Sequence, residues 1–490
     1  MTTLPSETLR QGSITSASPT AFISHLTGLL GEKGVLSTDA DMAAFITEFR
    51  GRRSGSALAV ALPATVEQAA SAVKAAMERG LAVVPQGGNT GLCYGSVPAG
   101  ALVVGLRRMN KVREIDIESG LMTVDAGITL AEVHAAAEGV GMQFPLHLGS
   151  EGTAQIGGLM STNAGGTGVL RYGPMRDLVA GVEMVLADGR VLSDLLGLKK
   201  NNTGFNMSQL VAGSEGTLGL VTGVVLRLSP RMQSHAHAWV ACDRAASAIE
   251  IGTRVRLAFG DLVEAMELLD NAQASYVLRH VSGTRMPLET LPAWSLLIEL
   301  ASPRVGDELT PQLETVLAHA MEDGLVPDAV IAQNDTQAQQ IWHFRHSVTE
   351  ANKINGIGVV MDISVRTSAI PGFVEDADRI VASRFPEAER AIISHLADGN
   401  VHYIVMFPHA VWADFPDKPA KELEIERAIH DVAVAHGGSF SAEHGIGQKL
   451  TEEMARLIDP VRLDLMQRIK VAFDPDNLMN PGVLLPPREG

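Results

Sequence analysis

Two histidines flank a tight-turn signal in the segment SHLADGNVH, residues 394–402. The Asp398-Gly399 dipeptide is a strong signal for a two-residue hairpin turn, which predicts that His395 stands directly opposite His402. Cross-strand partners have Cβ atoms about 5 Å apart, so both imidazoles could reach one ion at about 2.1 Å. A pair of half-buried histidines without a metal is the alternative. We interpret Asp398 as a turn former rather than a ligand.

A carboxylate and a third histidine follow in the glycine-flanked segment SAEHGIG, residues 441–447. Glu443 adds an oxygen ligand to the imidazoles of His395 and His402. Two histidines with one carboxylate leave a coordination position open, which is typical of a catalytic rather than a structural zinc site. A zinc hydrolase built on these ligands is therefore one candidate function.

Three other segments are dense in Gly, Ser, Thr and Asn: residues 85–96, 149–168 and 201–219. Glycines let the backbone approach a ligand and turn its N–H groups inward, which suits the pyrophosphate of a nucleotide cofactor. Turns between short strands are the alternative explanation. Neither a GxxxxGK[ST] motif nor a GxGxxG motif is present, which argues against an ATPase and against a Rossmann-type NAD site.

A β-α-β unit is predicted to position the first of these segments. Residues 57–61 are typical of a buried strand, and Thr65 with Gln68 forms a T-x-x-Q helix start. The helix has one apolar face and ends at Gly80, and a strand begins at Leu81. The glycine loop then follows the carboxyl end of a strand, where α/β folds bind ligands.

The chain changes character after Pro230. Short apolar stretches separated by turn residues predict a strand-rich region over 100–230, whereas longer helical patterns alternate with strands beyond it. The segment RMQSHAHAW, residues 231–239, is the best candidate for a linker.

Composition narrows the class of protein. A chain of 490 residues is too long for one hydrophobic core. The formal net charge of −17 excludes nucleic acid as the main partner. The two cysteines are far apart, and neither a signal-peptide pattern nor an apolar run of about 18 residues is present. We therefore expect a cytoplasmic protein that does not span a membrane.

The motifs PQGGNTGL, IGGLMSTNAGG, LRYG and GSEGTLG, followed by H-x-x-D-G-N-x-H and E-H-G-I-G, resemble one flavoprotein group. This is the vanillyl-alcohol oxidase and p-cresol methylhydroxylase superfamily, in its branch of FAD-dependent D-2-hydroxy acid dehydrogenases. The resemblance implies an α+β fold with a two-subdomain FAD-binding domain. Its implied segments are an N-terminal segment 1–39, an FAD-binding domain 40–230, a substrate and metal-binding domain 231–455 and a C-terminal segment 456–490 that packs back on the FAD domain.

The resemblance also implies cofactor contacts. The residues expected around FAD are Pro85, Gly87, Gly88, Asn89, Thr90, Gly91, Gly157, Gly158, Ser161, Asn163, Gly165, Gly166, Gly216 and Asn480. Several members of the superfamily tether the flavin through a histidine in the first loop, where this chain has Asn89. We therefore expect noncovalent FAD.

By the same resemblance His444 is the catalytic base, while His395, His402 and Glu443 bind Zn²⁺ or a similar divalent metal. Arg345 and Thr349, at i, i+4 spacing on a predicted helix, are expected to hold the substrate carboxylate, although an exposed ion pair is the usual fate of such an arginine.

The implied reaction is oxidation of a small D-2-hydroxy acid by hydride transfer to the flavin. The electrons pass to a separate acceptor, which is an electron-transferring flavoprotein, a quinone or a cytochrome. A homodimer is plausible for the family. A catalytically inactive protein that keeps the flavin fold is a further alternative.

Three positions depart from the D-2-hydroxyglutarate dehydrogenase pattern. Val360 and Ile404 stand where that group has a lysine and an asparagine, and Leu450 replaces a lysine that is displaced to Lys449. Binding a second substrate carboxylate without a polar partner near such apolar residues costs on the order of several kcal/mol. The substitutions favour a monocarboxylate or a bulkier, less acidic substrate. D-2-hydroxyglutarate itself is the alternative.

Overall fold

The computed structural model describes residues 18–487, so the expectation about a signal peptide concerns residues that lie outside the described part.

The amino-terminal part of the chain forms a four-stranded sheet. The strands are β1 Val35–Leu36, β2 Ser56–Ala61, β3 Val83–Gln86 and β4 Ala99–Gly105, in the spatial order β1-β2-β4-β3. Strands β2 and β3 both run parallel to β4, as the predicted β-α-β unit requires.

The helix of this unit, Val66–Met77, begins where the sequence predicts. Thr65 is its N-cap, and the Thr65 hydroxyl accepts a hydrogen bond from the backbone N–H of Gln68. The Gln68 side chain accepts from the N–H of Ala64, one residue before the position that a full capping box uses. The loop after β3 is thereby fixed at the carboxyl end of a strand.

A second sheet is antiparallel and has the order β5-β6-β10-β8-β9. Its strands and the short pair β7 and β11 are β5 Val112–Asp116, β6 Leu121–Asp125, β7 Met142–Gln143, β8 Val179–Val185, β9 Val191–Asp194, β10 Leu220–Arg227 and β11 Ser229–Pro230. The first two sheets share one hydrophobic core. The predicted strand-rich region over 100–230 is therefore present.

The third sheet has seven antiparallel strands in the order β15-β12-β14-β13-β17-β18-β16. They are β12 Ser234–Cys242, β13 Val263–Asp270, β14 Trp294–Ser302, β15 Ala329–Ile331, β16 Ile357–Ser364, β17 Glu389–His395 and β18 Asn400–Phe407. The linker predicted over 231–239 is wrong from Ser234 onward. Every residue of β12 pairs with β14, and Ala238 and Trp239 are buried on opposite faces.

Helices cover the sheets. They are α1 Pro19–Leu30, α2 Asp39–Ile46, α3 Val66–Met77, α4 Leu130–Glu138, α5 Ile156–Thr162, α6 Val169–Tyr172, α7 Met175–Leu178, α8 Met207–Val211, α9 Ala245–Phe259, α10 Asn271–His280, α11 Leu309–Glu322, α12 Asp335–His346, α13 Val348–Asn355, α14 Ile370–Arg384, α15 His409–Asp414, α16 Lys418–Ala435, α17 Thr451–Leu457 and α18 Pro460–Phe473. Among residues 18–487, no helix combines the length and apolarity needed to cross a membrane.

The C-terminal segment is tied to β3. The carbonyl of Leu478 accepts from the N–H of Val83, and the N–H of Asn480 donates to the carbonyl of Val83. The ammonium of buried Lys470 donates to the carbonyls of Thr217 and Met479. These bonds bring Asn480 beside the first glycine loop. The domain limits at 39, 230 and 455 stay predictions.

Candidate active site

A cavity that is partly open to solvent lies where the three glycine segments converge. The predicted cofactor residues that line it are Pro85, Gly87, Gly88, Asn89, Thr90, Gly91, Gly157, Gly158, Ser161, Gly216 and Asn480. His444 lines the same cavity from the other side.

A close backbone contact requires glycine at position 88, and Gly87 also packs against backbone. A Cβ on Gly88 would lie 1.9 Å from the carbonyl oxygen of Thr153, and a Cβ on Gly87 would lie 3.5 Å from the Cα of Gly158. The first two glycine segments therefore pack backbone against backbone. The result is a surface of peptide groups without side chains, which suits the close approach of a pyrophosphate.

Asn89 holds the first loop rather than facing a ligand with its side chain. Its backbone has a φ of 53°, a left-handed conformation that asparagine tolerates. The side-chain amide donates to the carbonyls of Ala44 at 3.1 Å and Thr47 at 2.8 Å, and its oxygen accepts from the hydroxyl of Ser96 at 2.7 Å. The buried Oε1 of Gln155, which also lines the cavity, accepts no hydrogen bond from residues 18–487, and it suits a hydroxylated or amide-bearing cofactor.

Three predicted cofactor residues do not line this cavity. Asn163 ends α5 in a left-handed conformation, and its side chain accepts from the N–H of Arg176. A Cβ on Gly165 would lie 3.1 Å from Oε1 of Glu443, and a Cβ on Gly166 would lie 2.2 Å from the carbonyl oxygen of His147. The loop after α5 thus reaches Glu443, and flavin contacts by these three residues stay predictions.

Asn480 joins two loops of the cavity wall. Its side-chain amide donates to the carbonyl of Gly95 at 3.0 Å and to the carbonyl of Glu215 at 2.7 Å. Gly216 follows with a φ of 75°, and a Cβ there would lie 3.1 Å from the Pro85 ring. The C-terminal return of the chain therefore closes the cavity.

The hairpin that carries His395 and His402 has a different register from the one predicted. His395 pairs with Asn400, and His402 pairs with Ile393. The prediction that the two histidines stand directly opposite is therefore wrong. They are diagonal neighbours on one face of the sheet, a separation that imidazoles still bridge, and their ring centroids lie 5.6 Å apart.

A four-residue loop explains the shift. The N–H of Leu396 donates to the carbonyl of Met266 in the neighbouring strand β13, which removes Leu396 from the hairpin pairing. The Asp398 carboxylate accepts from the N–H of Asn400, so Asp398 forms the turn as predicted. The observed register differs from the predicted one by two residues, so both histidines still lie on the same face of the sheet.

Ligand atoms of His395, His402 and Glu443 lie within 4.8 Å of one another. The Nε2 of His395 is 3.5 Å from Oε1 of Glu443. Bonds of about 2.1 Å to a tetrahedral ion place ligand atoms about 3.4 Å apart, so this pair fits a zinc-like ion. Burial lowers the pKa of His402 to about 3, which keeps that imidazole in the neutral form that binds metals.

Glu267 of β13 orients His395. Its Oε1 lies 2.6 Å from Nδ1 of His395, which leaves Nε2 to face Glu443. Burial lowers the pKa of His395, but the Glu267 charge raises it more, to about 9. Burial likewise raises the pKa of Glu267, and the charges of Arg345 and His395 lower it to about 2. A carboxylate behind a ligating imidazole is a common feature of metal sites.

Asp362 of β16 holds the segment that carries Glu443 and His444. Its Oδ2 accepts from the backbone N–H groups of both residues at 2.9 Å, and it lies 3.4 Å from Nδ1 of His444. Its Oδ1 lies 3.5 Å from Nδ1 of His402. Burial raises the pKa of Asp362, but the charges of His444 and His402 lower it more, to about 2. One buried carboxylate therefore fixes both the backbone and the imidazoles.

Glu215 holds the other end of the same segment. Its carboxylate accepts from the N–H of Ile446 at 2.8 Å and from the N–H of Gly447 at 2.7 Å. The residue is half-buried and has a φ of 52°. Because Glu215 belongs to the third glycine segment, it joins the flavin side of the cavity directly to the segment 441–447.

The two residues predicted to hold the substrate carboxylate lie on successive helices, and that role stays a prediction for both. Helix α12 ends at His346, and Thr349 is exposed in α13, so the predicted single helix face is interrupted at Ser347. Arg345 reaches the cluster, where Nε and Nη2 lie 2.7 Å and 2.6 Å from Oε2 of Glu267. It thus forms a largely buried ion pair beside His395. Within residues 18–487, Thr349 makes no hydrogen bond to the cluster.

Two of the three substituted positions lie near His402. Val360 pairs with Ile404 two residues along the strands from the pair of Asp362 and His402, and all four side chains share one face of the sheet. Val360 is 38% exposed and Ile404 is buried. The displaced Lys449 forms an ion pair with Glu426 at 2.6 Å. This end of the site is therefore apolar.

Sequence reasoning missed three carboxylates: Glu215, Glu267 and Asp362. Each lies inside an apolar or glycine-rich stretch, and an isolated acid in a strand with buried neighbours was the available signal. What the sequence did not provide was the pairing of strands that places Glu267 behind His395 and Asp362 opposite His402.

Two protein-family models match the chain. The model of an FAD-binding domain matches residues 57–194, and the model described as FAD linked oxidases, C-terminal domain, matches residues 231–484. The chain belongs to the FAD-linked oxidase family. The cavity between the glycine segments lies mainly within the first match, and the ligand cluster lies within the second.

Relatives with curated names agree with this assignment. The chain is 34% identical to the mitochondrial D-2-hydroxyglutarate dehydrogenase of Arabidopsis thaliana, over 95% of this chain and 81% of that protein. It is also 34% identical to the D-2-hydroxyglutarate dehydrogenase of Xanthomonas citri pv. viticola, over 91% of this chain and 93% of that protein. The protein is therefore an FAD-linked oxidoreductase, and the hydrolase alternative loses its basis.

A solved structure confirms the predicted fold class. Substrate-bound p-cresol methylhydroxylase superposes with a TM-score of 0.75 at 17% identity, over 94% of this chain and 96% of that chain. The α+β architecture with a two-subdomain FAD-binding domain is thus as predicted.

Proposed function

We propose that this FAD-linked oxidoreductase oxidises a D-2-hydroxy acid to the 2-oxo acid with a divalent metal held by His395, His402 and Glu443. The observation that carries the proposal is the position of the segment 441–447. His444 lines the flavin-side cavity, while the adjacent Glu443 belongs to the ligand cluster. One peptide bond therefore links the two halves of the site.

His444 is the proposed general base. Its Nδ1 faces the Asp362 carboxylate at 3.4 Å, which favours the tautomer with a proton on Nδ1 and leaves Nε2 free to accept a proton. The substrate α-hydroxyl proton would pass to this nitrogen as the Cα–O bond gains double-bond character. The buried charge of Asp362 then stabilises the imidazolium, as a carboxylate does in other histidine bases.

FAD, when bound, supplies flavin N5 as acceptor of the hydride from Cα. The metal, a zinc-like ion by the donor set, supplies a Lewis acid that lowers the pKa of the α-hydroxyl. Other residues of the chain orient the proposed ligands and base. Glu267 keeps Nε2 of His395 aimed at Glu443, and Glu215 and Asp362 hold the loop between the two halves.

The proposed substrate has one carboxylate. On the sheet face that carries His402, the exposed side chain of Val360 and the buried side chain of Ile404 are both apolar, whereas a second carboxylate of the substrate would need a polar partner there. D-2-hydroxyglutarate is the second candidate, favoured by the names of the two relatives above. Arg345 contacts Glu267 through Nε and Nη2, so Nη1 is the guanidinium nitrogen proposed to bind the substrate carboxylate.

Further parts of the proposal concern partners. Reduced flavin is reoxidised by a separate acceptor, for which an electron-transferring flavoprotein, a quinone and a cytochrome are the candidates. We also propose a cytoplasmic location and a homodimer. Cell fractionation and light scattering measure these two properties directly.

Cofactor and metal analysis tests the proposal. Purified protein should be yellow and should release intact FAD on denaturation, because Asn89 offers no tethering imidazole. A chelator should abolish turnover and leave FAD bound, and zinc should restore turnover. Full activity in metal-free protein would contradict the metal assignment. Flavin that stays on the denatured chain would contradict only the noncovalent attachment.

A further inference from the structure

A second group of two histidines and one carboxylate lies at the other end of the seven-stranded sheet. His235 and His237 are two residues apart on β12, so their side chains share one face of that strand. Glu299 of β14 pairs directly with His237 on the same face. Strands β14 and β13 separate β12 from the strand of His395, and the two groups share no residue.

Both imidazoles face one oxygen of the carboxylate. The Oε1 of Glu299 lies 3.4 Å from Nδ1 of His235 and 3.2 Å from Nε2 of His237. A tetrahedral ion with bonds of about 2.0–2.1 Å places its ligand atoms about 3.3 Å apart. The three ligand atoms lie within 4.8 Å of one another, and the rings are nearly parallel at 16°. The two observed distances are thus those of ligand pairs around a zinc-sized ion.

The surroundings leave these groups available. His235 is 42% exposed, which gives solvent access for an ion and for a water ligand, whereas His237 and Glu299 are largely buried. The nearby carboxylate of Glu264 is already paired with Arg171 at 2.6 Å. Two imidazoles with one carboxylate prefer zinc and neighbouring transition metals over Mg²⁺ and Ca²⁺.

We propose that His235, His237 and Glu299 form a second divalent metal site, of zinc-binding chemistry, separate from the catalytic cluster. The ion would link β12 to β14 just after the chain enters the seven-stranded sheet at Ser234. Its binding energy would stabilise the folded chain without contact with the flavin cavity. The role of this site is structural, and its occupancy does not set the rate of flavin reduction.

A third group, His134, His147 and Glu151, fits an ion less well. There the two Nδ1 atoms face different oxygens of the carboxylate, at 3.5 Å and 3.0 Å. His147 is 56% exposed on a loop, so its position is held less firmly than that of a residue within a sheet. This group competes in any measurement of bound zinc, as does the group of Asp362, His402 and His444, which shares His402 with the catalytic cluster.

Zinc stoichiometry in two backgrounds tests the proposal. The holoprotein is treated with chelator, dialysed against dilute Zn²⁺ and analysed for metal and FAD. In a His402→Gln background, which disables both ligand groups that contain His402, about one ion per chain should remain, and adding His237→Gln or Glu299→Gln should remove it. His319→Gln, an exposed histidine on α11, is the matched control and should change nothing.

In the otherwise unchanged chain, His235→Gln should lower zinc content by about one ion and remove a zinc-dependent rise in Tm, while flavin reduction by substrate stays at the unaltered rate. Retained flavin absorbance shows that each variant is folded. A His402→Gln chain that binds no zinc would overturn the proposal. So would zinc that survives His237→Gln and disappears in His147→Gln, because the ion would then belong to the third group.

Discussion

The flavin cavity and the histidine cluster are built by opposite means. The cavity wall is mostly backbone, in which glycines such as Gly88 exclude side chains and residues such as Asn89 adopt left-handed conformations. The cluster consists of side chains on strands β17 and β18 and on the loop 441–447, and each imidazole has a buried carboxylate behind it. Backbone atoms shape the first region, whereas charged side chains organise the second.

The difference shows how each region responds to change. The backbone surface leaves no room for a Cβ at Gly88, but it needs few specific side chains. A cluster of side chains depends on a second layer of carboxylates, here Glu267 and Asp362, which set pKa values and ring orientations. Glu215 belongs to both regions, because it lies in a glycine segment and binds the loop of His444.

The largest effect is expected from removing the proposed base, which should slow the reaction and leave both binding regions intact. His444→Ala should lower the rate of flavin reduction by substrate about 10²- to 10⁴-fold, the usual contribution of a general base, while FAD and metal stay bound. Anaerobic stopped-flow absorbance measures the rate, and metal analysis measures retention. His319→Ala is the control. A near-normal rate would place the base elsewhere, and loss of metal would make His444 a ligand.

Loss of the carboxylate behind His395 should affect only the cluster. Glu267→Gln removes the charge that orients this imidazole and pairs with Arg345, so metal affinity should fall about 10- to 100-fold. Competition with a zinc indicator measures the affinity. FAD content should be unchanged, and Glu250→Gln on the surface of α9 is the control. Unaltered zinc affinity would show that His395 is not a ligand.

Glu215→Gln tests the link between the regions. The amide oxygen can accept one of the two N–H bonds but lacks the charge, so the segment 441–447 should be held less firmly and kcat should fall about tenfold. The effect should appear in kcat more than in KM, because no contact with substrate is removed. Glu78→Gln, an exposed residue, is the control. An unchanged kcat together with FAD loss would confine Glu215 to the cavity.

The smallest effect concerns substrate choice. Val360→Lys places an ammonium on the apolar surface beside His402, and a new charge-assisted hydrogen bond should raise kcat/KM for D-2-hydroxyglutarate relative to D-lactate by about tenfold. Val360→Met, which is long but neutral, is the matched control. A native preference for D-2-hydroxyglutarate that Val360→Lys does not increase would contradict the proposed monocarboxylate substrate.

The sequence predicts these regions unequally. Motifs around Gly87, Gly157 and Gly216 indicated the cavity because backbone requirements leave a local signature. The grouping of His395, His402 and Glu443 was also predicted, although the register between His395 and His402 was wrong, and Leu396 instead bonds to Met266. That bond joins segments far apart in the chain.

Long-range strand pairing also explains the other differences. The segment predicted as a linker around His235 is strand β12. Its alternating side chains indicate a strand only when the pairing with β14 is known. The break at Ser347 separated Thr349 from Arg345, and the partner of Arg345, Glu267, lies 78 positions earlier in the chain. Local patterns do not carry such pairings.

The flavin cavity and the cluster of His395, His402 and Glu443 are proposed to form one site. Anaerobic mixing of the holoprotein with D- and L-2-hydroxy acids, before and after chelation, is the most direct test. D-2-hydroxy acids should bleach the flavin, and L-enantiomers should not. Chelation should stop bleaching without releasing FAD, and added zinc should restore it. Equal bleaching of FAD in chelated, metal-free protein would contradict the proposal of one combined site.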